Sequence, residues 1–515
     1  SLGNKADVDE VTLLEAWGED PHSKVILAYL EGINDGLRFV EVARKTTRKT
    51  PVVAIKSGTT SAGTRAASSH TGSLTGSESA YEAAFSQSGI LRAASMEELF
   101  DFALAFAYQP PLQSNRVAIV TNAGGPGIIT TDAIERTGIL KMADLTAETI
   151  NALREKLPAT ANFFNPIDVI GDARSDRYHA ALKAALADPG VDAVIVLFTP
   201  QAASDTAETA RVIARLAAES NKPVLASFMG AVSLTEALRI LNENRIPSYA
   251  FPERAVGALA AMARYSAWQQ RPAPEYTSFT VDQARVRTMF EQVRAAGRVE
   301  LGELEAREVM EAYGMRLPKS RLARSPEEAV EIAREIGYPI VMKISSPDIL
   351  HKSDIGGVKV GLKDANEVRD NFELIEYRAR KYSPNARIWG MLIQEMAPKG
   401  RELLVGVSRD PQFGPLVAVG MGGIYVEVLR DVAFRLAPIS KQEVSEQLRS
   451  IRTFPLLRGV RGDQPADLAA IEEVVLRVSQ LVTEFPEIVE MDINPLVVYN
   501  KGEGTVVLDA RIILK

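Results

Sequence analysis

Histidine is scarce in this chain, four residues in 515, and one of them, His70, sits in Ser68-Ser69-His70-Thr71-Gly72-Ser73 with no aliphatic neighbour to bury against. Hydroxyls, free backbone N–H groups and an imidazole are what a phosphate group uses. A loop histidine hydrogen-bonded to its own turn is the other reading of the same window. A second group of residues lies some 270 positions downstream. Lys343, on the apolar run Tyr338-Pro339-Ile340-Val341-Met342-Lys343-Ile344, precedes a polar loop that continues through His351-Lys352-Ser353-Asp354-Ile355-Gly356-Gly357. A lysine beside a glycine-containing loop offers phosphates a point charge plus backbone donors. Taken singly, it also reads as a strand-end lysine reaching solvent. In Leu392-Ile393-Gln394-Glu395-Met396, an extended run that would cross between two lobes, the backbone at Gln394, Glu395 and Met396 could read the edge of an adenine. Asn494 and Asp509, placed at the ends of two apolar strands, would give two oxygen ligands to one site. That suits Mg²⁺, which keeps the rest of its octahedron for water and phosphate, although loop carboxylates also commonly cap strands.

The elements that must position these residues follow an α/β rhythm of apolar strands alternating with amphipathic helices. The expected order is a strand at 25–29 ending at Glu31, a helix at 35–45, a strand at 51–55, the His70 loop, and helices at 77–86 and 96–108. Gln109-Pro110-Pro111 breaks the chain. A strand at 116–120 then leads into Thr121-Asn122-Ala123-Gly124-Gly125-Pro126-Gly127 and a helix expected over 128–137. That loop lacks the G-x-G-x-x-G spacing of a dinucleotide site. A glycine-rich turn feeding a helix still makes an anion site, so Asn122, Gly124 and Gly125 are candidate ligand contacts, a tight βα connection being the alternative. Further strands are expected at 194–198 and 223–228, a Pro-rich linker begins near Gln269, and a helix spans 303–313. The expected domains are 1–110, 111–270, a linker over 271–300, and two lobes, 301–390 and 391–515.

Composition narrows the classes. A net charge of −7 leaves no basic excess for a nucleic-acid backbone, and the absence of cysteine excludes disulfides, thiol nucleophiles and Cys-based zinc sites. No apolar run approaches a membrane span and no signal peptide is evident, so a cytoplasmic enzyme or binding protein fits.

From about residue 300 to 515, the order of these pieces resembles the ATP-grasp fold, and more closely the nucleotide-binding portion of NDP-forming acyl-CoA synthetases. That family includes the ADP-forming acetyl-CoA and succinyl-CoA synthetases. Upstream, residues 1–110 resemble the family's ligase domain with a phosphorylatable histidine, matched at Ser69-His70-Thr71-Gly72-Ser73, and 115–265 resemble its neighbouring flavodoxin-like domain. The implied fold is α/β: two flavodoxin-like doubly wound domains followed by an ATP-grasp domain. The resemblance implies that Lys343 contacts ATP phosphates, Gln394 to Met396 form the adenine hinge, and Asn494 and Asp509 hold Mg²⁺. Gly422, Gly423 and Arg435 would belong to the nucleotide site, with Glu427, Asp431 and, less strongly, Glu402 nearby. A salt-bridged strand edge is the alternative for Glu427 and Asp431. Glu31 would hold the ring of His70, which suits the chemistry: a carboxylate at one ring nitrogen fixes the tautomer and sharpens the other as a nucleophile. His351 would be a second carrier on the nucleotide loop, whereas His22 and His179 have no such setting.

The implied activity is an acid–CoA ligase (ADP-forming) interconverting acyl-CoA, ADP and phosphate with acid, CoA and ATP through phosphohistidine. The family's architecture opens with a CoA-binding domain carrying its own glycine-rich loop, which this sequence does not match. CoA would therefore arrive through a separate domain or subunit, and the chain alone would be incomplete for the acyl half-reaction. The other partners implied are small molecules and a homodimer or higher assembly, with no nucleic acid and no membrane. A non-catalytic acyl-CoA or nucleotide sensor of a protein acetyltransferase-type assembly is the alternative, and a histidine at position 70 argues against it. An amine-accepting ATP-grasp ligase would leave residues 1–265 unexplained.

Overall fold

A computed structural model describes residues 5, 7–58, 77–202, 204–230, 234–349, 352, 354–422, 431–460 and 462–515. His70, His351, Gly423 and Glu427 lie outside the described residues. The chain divides into two compact units, 1–75 with 85–272 and 76–84 with 273–515. Among the described residues no helix is long and apolar enough to cross a membrane.

The first unit holds two parallel sheets. β1 (Ile26–Leu30), β2 (Val52–Lys56) and β3 (Leu91–Arg92) pair in sequence order. The second sheet comprises β4 (Arg116–Thr121), β5 (Lys141–Met142), β6 (Ile167–Asp168), β7 (Ala193–Phe198), β8 (Val224–Phe228) and β9 (Ser248–Tyr249), ordered β5-β4-β7-β8-β9 with β6 also paired to β4. β7 and β8 are buried along their whole length, as a parallel sheet covered on both faces requires. This is the flavodoxin-like order, and its strand order reverses between β4 and β7, where ligands gather at the carboxyl ends. The helix after β4 runs Gly124–Arg136, four residues earlier than expected. The Gly-Gly-Pro-Gly run forms its first turn instead of a loop, because proline's missing N–H costs nothing there.

The second unit opens with a correction to the expected linker over 271–300. Residues Gln283–Ala295 form a helix whose Val286, Met289, Phe290 and Val293 enter the core, Phe290 packing edge-on to Phe485 at 5.3 Å. Their spacing is that of one helix face, a signal that the proline-rich run just before it masked. One sheet is antiparallel and four-stranded, with β10 (Ser320–Ala323), β11 (Ile340–Ser345), β12 (Val358–Leu362) and β13 (Gly390–Glu395) in the order β10-β13-β11-β12. The run expected to cross between lobes is therefore mostly the interior strand β13, and only Met396 and the residues after it lead onward. The other sheet contains β14 (Arg401–Asp410), β15 (Gly414–Met421), β16 (Val432–Leu436), β17 (Ile488–Val498), β18 (Thr505–Val507) and β19 (Ala510–Leu514), ordered β16-β15-β14-β17-β18 with β19 also on β17.

Candidate active site

Strand alternation divides the four-stranded sheet into two faces. Ile340, Met342, Ile344, Met391 and Ile393 point into an apolar core with Ile332 and Phe372. The opposite face carries Val341, Lys343 and Ser345 from β11, with Gln394 and Leu392 paired to Val341 and Lys343. Lys343 does not reach solvent: its side chain is 8% exposed. Its ammonium donates to Glu303 Oε1 at 3.1 Å and to the Leu508 carbonyl at 2.9 Å, and lies 3.9 Å from Asp509 Oδ2. A buried ammonium persists only with such partners. On the same face Gln394 Oε1 and Ser345 Oγ are buried with no hydrogen-bond partner among the described residues. Orphaned polar atoms of this kind mark where a ligand or water completes the site.

Glu303 opens the helix Glu303–Ala312, and its placement is tightly determined. The preceding residues add to β19 through Leu514 N–H to the Val299 carbonyl at 2.7 Å and Leu301 N–H to the Ile512 carbonyl at 3.0 Å. Glu305 accepts from the Gly302 N–H at 2.6 Å and from Arg298 at 2.5 and 2.8 Å. Trp389 packs over Gly302 so closely that a Cβ there would meet the ring at 2.5 Å. Gly302→Ala is therefore expected to displace the helix start and destabilise the protein by about 1–3 kcal/mol, measurable by denaturant unfolding. The Glu303 carboxylate, 4% exposed, pairs with both Lys343 and Lys352. Burial pushes its pKa up, but the two ammoniums outweigh burial and hold the carboxyl below its usual range. Burial likewise opposes the charge on Lys352, and Glu303 with Asp509 overcomes it, raising that ammonium's pKa. One turn along, Arg307 is buried too, donating to the Pro318 carbonyl while its Nη1 finds no partner among the described residues.

Asn494 and Asp509 are neighbours, but not as two strand ends. Asn494 lies inside the eleven-residue β17, Asp509 between β18 and β19, and the Asn494 N–H donates to the Asp509 carbonyl at 3.2 Å. Both line a cleft of about 560 Å³ together with Glu303, Lys352, Asp492 and Arg511. Burial raises the Asp509 carboxyl above its usual range. Burial, with the charges of Glu490 and Asp509, pushes Asp492 up to about 6. Among the described residues no group of three or more His, Cys, Asp or Glu stands ready to hold a metal. An oxygen pair such as Asn494 and Asp509 suits a cation that takes its remaining ligands from water and phosphate. Glu303, Lys352 and Asp492 are the site residues that sequence reasoning passed over. Asp492 carried a usable signal, since period-two alternation puts it on the face of Asn494. Glu303 carried none, because an acidic residue in a first helical turn ordinarily only complements the dipole.

The other candidates have more local roles. Asp431 accepts from the backbone of Arg452 at 2.8 Å and of Thr453 at 2.7 Å, which caps that turn. Gly422 donates to the Glu402 carbonyl at 2.7 Å, and a Cβ there would press on that backbone at 3.2 Å. Arg435, on β16, donates to the Phe434 carbonyl at 2.8 Å. Glu395 accepts from the Lys319 N–H at 3.2 Å and borders a second cavity of about 270 Å³ with Arg316, Pro318 and Tyr499.

In the first unit Glu31 directly follows β1 at the carboxyl edge of its sheet, where Leu30 pairs with Lys56 and the Ser57 N–H donates to the Leu30 carbonyl at 3.0 Å. Asn122 is spoken for: its amide donates to the Thr199 carbonyl at 2.8 Å and accepts from the Thr199 N–H at 2.9 Å. It ties the ends of β4 and β7 instead of presenting a side chain to a ligand. Asn122→Ala is expected to cost about 1–3 kcal/mol in unfolding free energy, because it strands both part-buried backbone groups of Thr199. Gly124 and Gly125 start a helix that lacks a side-chain cap, and a Cβ at Gly125 would meet nothing within 4 Å.

Comparison with known proteins matches three family descriptions in order: a succinyl-CoA ligase like flavodoxin domain over 1–106, a ligase-CoA domain over 117–271 and an ATP-grasp domain over 292–514. The 4-hydroxybutyrate–CoA ligase [ADP-forming] of Nitrosopumilus maritimus is 45% identical over 99% of this chain and 73% of its own length. The chain belongs to the ADP-forming acyl-CoA synthetase family. An acetate–CoA ligase [ADP-forming] I of Archaeoglobus fulgidus, 42% identical over all of this chain and 73% of its own, places the synthetase among acid–CoA ligases as an enzyme. A solved structure of Ca. Korarchaeum cryptofilum dinucleotide forming acetyl-coenzyme A synthetase 1, in complex with phosphate and ADP, is 40% identical. It covers 52% of this chain and 59% of that one, at a TM-score of 0.50.

Proposed function

We propose that this synthetase interconverts an acyl-CoA, ADP and phosphate with the acid, CoA and ATP, with His351 and His70 as phosphoryl carriers. The observation that carries this reading is the gathering of Glu303, Lys352, Asn494 and Asp509 at one cleft, with Lys343 ion-paired to its Glu303, in the unit that matches an ATP-grasp domain. In the direction of ATP use, a ring nitrogen of His351 attacks the γ-phosphorus; its N–P bond forms as the P–O bond to ADP breaks. The phosphoryl group then passes to a ring nitrogen of His70, whose other nitrogen keeps its proton in a hydrogen bond to Glu31. A carboxylate oxygen of the acid takes the phosphoryl from His70, and CoA, brought by a CoA-binding domain or subunit, displaces phosphate from the acyl phosphate. Lys343 and Lys352 neutralise the charge carried by the phosphoryl oxygens. Asn494 and Asp509 fit Mg²⁺, which when bound supplies further neutralisation of the phosphates.

The exposed backbone of Gly124 and Gly125 suits the phosphate of the acyl end. Glu395 lines the smaller cavity, and with Gln394, whose Oε1 has no partner among the described residues, and Met396 it suits the nucleotide base. Gly422, Gly423 and Arg435 complete the nucleotide end, and the cytoplasm supplies both nucleotide and CoA. Incubation with stoichiometric radiolabelled ATP–Mg²⁺ tests the reading: it requires ADP as the product and acid-labile, alkali-stable phosphate on the protein. AMP with pyrophosphate would contradict it.

A further inference from the structure

Glu303 stands apart from the residues that would touch the nucleotide, because its charge is of the wrong sign to meet a phosphate. It is nevertheless the hub of the cleft. One oxygen, Oε1, takes the Lys343 ammonium at 3.1 Å, and the other, Oε2, takes that of Lys352. Two ammoniums this close repel each other strongly in a buried setting, and a shared carboxylate is what lets both stay charged and near one another. The carboxylate itself is held by construction: it starts a helix whose first turn is fixed by Glu305, Arg298 and Trp389, and whose lead-in is hydrogen-bonded to β19. Lys352 is fixed at its backbone as well, its carbonyl accepting from the Gly357 N–H at 2.7 Å. The residue covalently preceding Lys352 is His351.

We propose that Glu303 is the positioning residue of phosphoryl transfer, holding Lys343 and Lys352 together and thereby fixing the chain next to His351 at the nucleotide cleft. The proposal rests on the histidine relay above. Its mechanism predicts a defect in rate and not in affinity, since Glu303 makes no contact that nucleotide binding needs, and misplacement of a reacting group by about 1 Å can cost roughly 100-fold.

Glu303→Gln keeps the shape and removes the charge. In single-turnover labelling with ATP–Mg²⁺ it is expected to slow protein phosphorylation by about 100-fold while moving the KM for ATP by less than about threefold. Glu303→Asp, which restores the charge, should recover part of the rate. Lys352→Met should also slow transfer, and the double variant Glu303→Gln/Lys352→Met should be no more than about twofold slower than the worse single, as for residues acting as one unit. Wild-type rates in Glu303→Gln, an effect confined to KM, or additive losses in the double variant would overturn the role of Glu303. A failure of the unsubstituted chain to label would instead overturn the relay on which it rests. If Glu303→Gln does not fold, the same decision falls to Lys352→Met, for which an unchanged rate overturns the proposal.

Discussion

His70→Ala is expected to abolish acid-labile phosphorylation by ATP–Mg²⁺ in any form that can pass to an acid, a fall of at least about 1,000-fold in the overall reaction. Loss of a nucleophile that forms a covalent intermediate costs on that scale, because no neighbouring group replaces it. Ser68, Ser69, Thr71 and Ser73, its neighbours in sequence, carry hydroxyls that are far weaker nucleophiles at neutral pH. His179→Ala is the matched control: that residue lies on the helix Ser175–Ala187, away from any carrier motif, and its removal should leave labelling unchanged. Rate measurements on the two variants, with ADP release counted separately from label retained on protein, check both expectations.

Lys343→Met is the second large effect. The substitution preserves the length and apolar stem of a side chain that is 8% exposed, so packing on that face of β11 survives. What disappears is the charge. Removing one pre-positioned donor from a developing phosphoryl charge typically costs about 100- to 1,000-fold in rate, and the same is expected here in single-turnover phosphorylation. Stability should fall less, by about 1–3 kcal/mol, because Glu303 keeps Lys352 as a partner while the Leu508 carbonyl loses its donor. A loss of rate without a comparable loss of unfolding free energy separates a phosphate-facing lysine from a purely structural ion pair.

The alternation of strand and helix was readable because it is local. The helix expected over 96–108 is observed at Met96–Tyr108, and the strand expected over 194–198 gains only Ala193. Where glycine and proline led the reading, it failed for a physical reason. Gly124-Gly125-Pro126-Gly127 is as compatible with a helix's first turn as with a loop, and only the chain's descent from β4 decides between them. The same blindness hid the helix Gln283–Ala295 behind the Pro-rich run before it.

Sites are harder still, since their logic is long-range. Lys343 on its own looks like a solvent-reaching strand end; its burial depends on Glu303, forty residues upstream, and on the Leu508 carbonyl far downstream. Asn122 looks like a ligand contact until Thr199, seventy-seven residues on, captures both ends of its amide. Asn494 and Asp509 were legible as a pair because each sits in an apolar run, but their adjacency comes from the antiparallel pairing of β17 with β18 and β19. Asp492 is legible on the same alternation, two residues from Asn494 on one strand face.

The measurement that bears most directly on the account is reversal of the phosphoenzyme. The chain is labelled with ATP–Mg²⁺, freed of nucleotide, and then given ADP–Mg²⁺ alone. The relay predicts that the label leaves the protein and reappears as ATP, that before the chase it resides in the unsubstituted chain on the peptide containing His70, and that only the unsubstituted chain, not His70→Ala, can pass it to an acid. Label that stays on the protein, or departs only as inorganic phosphate, would contradict a histidine carrier serving the nucleotide cleft.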